Sequence, residues 1–148
     1  MDKKKTISWG VVAIFLQMAI YYAIWMNPYV SAISLQFSDH PAVKPYDYFG
    51  GLENWMTIRT LYNIVILAIL IKLFLLVYTK IPGVGWQKGV YFGLTISLIK
   101  VVPEAFNKWT LIVYPNELIY LQLINGTIGF TLFGILIAVI YRNKEYPK

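Results

Sequence analysis

Long apolar stretches, separated by short segments that carry most of the charges, dominate the chain. No charged residue lies between Lys5 and Asp39, and none lies from Leu118 to Tyr141. An α-helix rises 1.5 Å per residue, so about 20 apolar residues cross the ~30 Å hydrocarbon core of a bilayer. Four stretches reach that length. We predict membrane-spanning helices at about 7–29, 56–78, 86–109 and 118–141.

The segments between the predicted spans indicate how the spans are arranged. The connections at 80–85 and 114–117 are short and contain proline, so the second, third and fourth spans should be antiparallel neighbours. The connection at about 30–55 is long and rich in aromatic residues, which favours an outer loop that caps the bundle or lies along the membrane surface. The predicted fold is therefore an all-α membrane protein, an antiparallel four-helix transmembrane bundle that forms a single domain over 1–148.

The distribution of lysine and arginine predicts the orientation of this bundle. Cytoplasmic segments of membrane proteins carry an excess of basic residues. One side would hold Lys3, Lys4, Lys5, Lys80, Lys88, Arg142, Lys144 and Lys148, and the other would hold Lys44, Arg59 and Lys108. Both termini are thus expected in the cytoplasm, with the spans in a bacterial or archaeal plasma membrane. A signal peptide cleaved near Ser31 is the alternative, but the first apolar stretch exceeds the 7–15 residues of a signal-peptide core.

Composition agrees with a membrane protein and excludes several classes of site. Hydrophobic residues make up 58% of the 148 residues and charged residues 14%, against roughly 25% charged in soluble domains. The net charge of +6 lies in short clusters rather than on a continuous basic face, so no nucleic-acid partner is predicted. Cysteine is absent and there is one histidine, which excludes disulfides, thiolate ligands and a multi-histidine zinc or haem site within one subunit.

The outer loop contains the residues that could bind a hard cation, namely Asp39, His40, Asp47 and Glu53. Oxygen ligands of this kind suit Ca²⁺ or Mg²⁺, but their spacing matches no defined metal motif. A solvated capping loop is the preferred interpretation, and neither a metal nor a cofactor is predicted.

The third predicted span contains three charged residues at intervals of four positions. Lys100, Glu104 and Lys108 flank Pro103, although a charge at membrane depth costs about 2.5–3.5 kcal/mol. At 100° per residue they share one sector of the helix with a ridge of small residues that permits close helix packing: Gly89, Gly93 and Ser97. Because two cations flank the carboxylate, we expect a self-neutralising polar region rather than a proton relay.

Polar residues of all four spans are expected to converge in the outer half of the bundle. The predicted pocket could bind a ligand and comprises Gln17, Tyr21, Asn63, Lys100, Glu104, Gln122 and Asn125. The alternative is that these side chains hold the helices together, since interhelical hydrogen bonds contribute roughly 0.6–2 kcal/mol each. Glycines of the fourth span extend the predicted packing surfaces: Gly126, Gly129 and Gly134.

The second half of the chain, from Gly89 to Arg142, combines a glycine-bearing span, a proline-containing turn and a glycine-rich span that ends in Tyr-Arg. This pattern resembles uncharacterised small four-helix integral membrane proteins of bacteria. The resemblance implies a plasma-membrane location and no particular activity. The small multidrug exporters also have four spans, but they look different, since their first span carries an acidic residue and this one carries none.

These observations favour a non-enzymatic membrane component, either an accessory subunit of a larger membrane complex or a homo-oligomer, whose partners are the lipid bilayer and other membrane chains. A small carrier or channel that binds a solute in the outer polar pocket is the alternative. A membrane enzyme that acts on lipid through the His40 loop is the second alternative.

Overall fold

The structure, a computed structural model, describes residues 3–141, with side chains from Ile7 onward. Every regular element in that range is helical. The α-helices are α1 (Lys3–Trp25), α2 (Pro28–Gln36), α3 (Leu52–Val77), α4 (Trp86–Ile96), α5 (Val102–Leu111) and α6 (Asn116–Tyr141). A π-turn at Ser97–Val101 joins α4 to α5, and 3-10 turns occupy Tyr46–Phe49 and Tyr78–Lys80.

Four helical segments are long and apolar enough to cross a membrane. They are Ile7–Trp25, Leu52–Lys80, Trp86–Leu111 and Asn116–Tyr141, the third of which combines α4, the π-turn and α5. The prediction of an all-helical protein with four apolar helices is confirmed. The chain is accordingly a multi-pass membrane protein.

The connection between α1 and α3 contains more helix than the loop predicted at about 30–55. The first helix ends at Trp25 rather than near Tyr29, and α2 begins at Pro28, before the predicted start of the loop. Asn27 caps α2, since its side-chain oxygen accepts a 3.0 Å hydrogen bond from the Tyr29 amide, and proline is well suited to the first turn of a helix. The basic residues Arg142, Lys144 and Lys148 lie outside the described residues.

Helix α6 lies at the centre of the fold and contacts α1, α2, α4, α5 and the π-turn. The core brings together side chains of all four long segments, and its largest fully buried members are Phe74, Phe133, Ile137 and Tyr141. Helix α3 packs against α1, while the Phe74 and Phe92 rings, 5.1 Å apart and edge to face, connect it to α4.

Helix α6 and the α4–α5 segment make their contacts in opposite order along the chain. Gly134 lies against Gly89 at one end of the α4–α5 segment, and Gln122 bonds to Lys108 at the other. Helix α1 contacts α6 through a hydrogen bond from the Gln17 side chain to the Gly129 carbonyl. Residue numbers therefore rise along the α4–α5 segment as they fall along α6.

The closest helix contact is a glycine seam formed by Gly89, Gly93 and Gly134. A Cβ atom on Gly89 would overlap the Gly134 carbonyl, and one on Gly93 would overlap the Phe130 carbonyl. Because these neighbours are backbone atoms, no side-chain rotation could make room. Small residues allow such close approach in membranes, where van der Waals packing replaces the hydrophobic effect.

Candidate functional site

Lys108 is the centre of a polar cluster where α5 meets α6. Its Nζ donates a 2.6 Å hydrogen bond to Gln122 Oε1 on α6 and pairs with Glu104 Oε1 at 3.2 Å, one turn back on α5. The same Nζ lies 5.1 Å from the centre of the Tyr114 ring, in the turn between the two helices. Burial and the nearby Glu104 carboxylate raise the pKa of Tyr114, and Arg59 partly offsets the shift.

Lys100 lies apart from this cluster. Its Nζ lies 5.3 Å from the centre of the Phe130 ring of α6, and no acidic group of the described residues pairs with it. The surface that continues the glycine seam is formed instead by Val101 and Ala105, which are 3% and 2% exposed. Constant helical spacing predicts one face for Lys100, Glu104 and Lys108, whereas the structure pairs only the last two.

The π-turn explains this difference. Within it the Val102 amide donates to the Ser97 carbonyl, five residues back, instead of the four of an α-helix. The extra residue per turn shifts the face, so the residue that follows Ser97 on the seam face is Val101, four positions on, rather than Lys100, three positions on. Pro103 lacks an amide hydrogen and cannot complete the α-helical pattern at this point, which is the signal in the sequence that the turn is irregular.

A second group of predicted site residues joins α1 to its neighbours. Gln17 is 6% exposed and donates from Nε2 to the Gly129 carbonyl of α6 at 3.1 Å. Near the end of α1, Arg59 of α3 donates to the Tyr21 hydroxyl. Nearby, the Tyr22 hydroxyl is 2.7 Å from the Thr60 hydroxyl. These bonds connect α1 to α6 and α1 to α3.

The seven residues of the predicted outer pocket therefore fall into separate groups. Glu104 and Gln122 meet through Lys108, Gln17 bonds to α6, and Tyr21 bonds to α3. Asn63 is half-buried on α3, and Lys100 lies over Phe130. Three buried polar atoms have no partner among the described residues, namely Gln17 Oε1, Asn125 Nδ2 and Thr131 Oγ1.

The predicted packing glycines differ in their surroundings. Gly89, Gly93 and Gly134 form the seam, and the Ser97 hydroxyl donates to the Gly93 carbonyl at 2.9 Å. A Cβ on Gly126 would come within 2.8 Å of the Val101 side chain, whereas one on Gly129 would approach nothing nearer than Gln17 Nε2, at 3.9 Å. All of these contacts lie within one chain.

The His40 segment forms local contacts. His40 Nδ1 accepts a 3.2 Å hydrogen bond from the Ala42 amide, and the Ser38 hydroxyl lies 3.4 Å from an Asp39 carboxylate oxygen. Within residues 3–141, no three histidine, aspartate or glutamate side chains come together as metal ligands. These contacts join residues one or two positions apart, as in a compact turn.

Sequence reasoning missed an apolar cleft between α3 and α4. It consists of two adjoining cavities of about 390 and 270 Å³ that share Leu73, Ile96 and Ile99. Lys80 lines one end and Lys100 the other. The distance between two helices depends on what each packs against elsewhere, so the sequence of the α3–α4 hairpin contains no direct signal for it.

Comparisons with known proteins found no matching family model, curated protein or solved structure. The functional argument therefore depends on the geometry of this chain.

Proposed function

We propose that the protein is a non-enzymatic membrane component that works by assembly, either with further copies of itself or as an accessory subunit of a larger membrane complex. In this proposal the four spans alternate in direction, both termini face the cytoplasm, and the membrane is the plasma membrane. The opposite order of contacts along α6 and the α4–α5 segment supports the alternation.

The main support for this proposal is that the polar side chains form hydrogen bonds between helices. Lys108 ties α5 to α6, Gln17 ties α1 to α6, and Arg59 ties α3 to α1. Side chains committed in this way stabilise a bundle and are poorly placed to release and rebind a solute. This supports a scaffold over a carrier with an outer polar pocket.

An exposed stripe on α3 offers a surface for assembly. Leu61, Val65, Ile69 and Leu76 recur at helical spacing and are 56–70% exposed. The glycines of α4 already pack against α6 of the same chain, so a partner would have to bind at another surface. The α3 stripe is the surface that we propose for it.

Native mass spectrometry of the chain, released from native membranes in mild detergent, tests this function. We expect either an integer multiple of the chain mass or a constant additional protein mass. Val65→Asn, in the centre of the α3 stripe, should dissociate that assembly, whereas Val139→Asn, exposed on α6, should not. A single chain that carries only lipid, or an assembly unaffected by Val65→Asn, would contradict the proposal.

A further inference from the structure

The α3–α4 cleft has the dimensions of a groove for one lipid chain. It extends from Ile66 of α3 to Lys80 in the 3-10 turn that follows α3, a distance of fourteen helical rises or about 21 Å. One leaflet contributes about half of the ~30 Å hydrocarbon thickness. A chain that starts at the membrane surface beside Lys80 would therefore remain within the cleft for the depth of its leaflet.

The packing of α4 explains why the protein leaves this cleft unfilled. The glycine seam draws α4 against α6, and the Phe74–Phe92 ring pair crosses from α3 to α4. The cleft is lined mostly by apolar side chains, and Leu73 and Ile99 are 39% and 69% exposed, so the cleft is open to the surroundings of the helices. In a bilayer, the material at such an opening is hydrocarbon.

The end of the cleft near the membrane surface carries a positive charge, that of Lys80. Lys80 is exposed there, and no acidic group of the described residues pairs with it. Its neighbour Lys88 is engaged differently, since its Nζ donates to the Tyr78 carbonyl at 2.8 Å and lies 4.5 Å from the Tyr78 ring centre.

The sequence of the hairpin strengthens this argument. No aspartate or glutamate occurs between Glu53, at the far end of α3, and Glu104, so the part of the α3–α4 hairpin near Lys80 lacks an anion. An anion that neutralises Lys80 therefore has to come from outside the hairpin. At a membrane surface, the phosphate of an anionic lipid is the group available to a basic side chain.

We propose that the α3–α4 cleft binds an anionic phospholipid, with one acyl chain along Leu73 and Ile99 and the headgroup phosphate against Lys80. This goes beyond the assembly proposed above and does not depend on it: the cleft shares Ile69 with the α3 stripe, but Lys80 and Ile99, which the tests below change, are not part of that stripe. It assigns to Lys80 a ligand contact that is separate from membrane orientation.

Native mass spectrometry with equimolar phosphatidylglycerol and phosphatidylcholine of matched chains tests this proposal on the full chain. One basic residue near an anionic headgroup predicts about a fivefold preference for phosphatidylglycerol. Lys80→Gln should abolish the preference. Lys72→Gln should retain it, because Lys72 is exposed on the same helix but does not line the cleft.

A second variant tests the acyl-chain contact. Ile99 is 69% exposed, so Ile99→Trp should fill the cleft without disturbing the core and should remove the bound lipid of both kinds. An unchanged midpoint of thermal unfolding in lipid-free detergent would verify that the variant is folded. Equal binding of the two lipids, a preference that survives Lys80→Gln, lipid retained by Ile99→Trp, or displacement of the lipid by inorganic phosphate alone would overturn the proposal.

Discussion

Gly89 and Gly134 face each other across α4 and α6, and a Cβ on either residue would overlap the backbone of the other. The overlap involves backbone carbonyl groups within two helices, which cannot move aside without separating the helices. This contact therefore sets the distance between α4 and α6.

Gly134→Ala should destabilise the protein by about 1–3 kcal/mol, the usual cost of overpacking a closely packed core. Thermal unfolding in detergent, followed by circular dichroism, measures the effect. Gly129→Ala is the matched control on the same helix, because its Cβ would meet only Gln17 Nε2, at 3.9 Å. The control should be neutral or slightly stabilising, since alanine favours helix over glycine. Equal midpoints for the two variants would refute the steric role of the seam.

The seam was partly predictable from the sequence. Small residues spaced by four along the third span indicate a close-packing face, and Gly89 and Gly93 do form one. The fourth span offers several glycines, and sequence spacing does not determine which of them the partner helix meets. That Gly134 enters the seam while Gly129 faces Gln17 depends on the register of two helices that are joined by a turn.

Lys108 and Gln122 should show direct energetic coupling. A double-mutant cycle with Lys108→Met and Gln122→Leu should give about 0.6–1.7 kcal/mol, the range of interhelical hydrogen bonds in membranes. Unfolding free energies in mixed micelles supply the measurement. The comparison cycle, with Glu104→Gln in place of Gln122→Leu, should give a smaller coupling because that pair is more exposed. Additive effects at Lys108 and Gln122 would contradict the bond.

The division of the Lys100, Glu104 and Lys108 series could not be predicted from spacing. A helical projection assumes a constant angle per residue, and the π-turn at Ser97–Val101 breaks that assumption, so the seam face passes from Ser97 to Val101 and leaves Lys100 beside it. Pro103 indicates an irregularity at this position but does not indicate whether the helix bends, unwinds or takes up an extra residue.

Tyr114 should make stability depend on pH in the alkaline range. Burial and the Glu104 carboxylate raise the pKa of Tyr114 above 10.0 in the folded protein. The folded state thus holds the phenol proton more tightly than the unfolded state. The contribution is complete below pH 10 and is lost as the pH rises through the folded pKa.

Unfolding midpoints measured at pH 9 and pH 11 test this dependence. The wild type should lose more stability over that interval than Tyr114→Phe, which lacks the titrating group but keeps the ring. Tyr120→Phe is the control, because Tyr120 is 63% exposed. Parallel losses in the wild type and Tyr114→Phe would contradict the shifted pKa.

The central claim is that the chain crosses the membrane four times with both termini in the cytoplasm, and cysteine accessibility tests it most directly. The natural sequence has no cysteine, so Val84→Cys and Val113→Cys, in the turns before α4 and before α6, each introduce a single thiol at an exposed position. We predict that a membrane-impermeant maleimide labels Val113→Cys in intact cells and Val84→Cys only after permeabilisation. Labelling of both thiols from the same side, or the reverse pattern, would contradict the account.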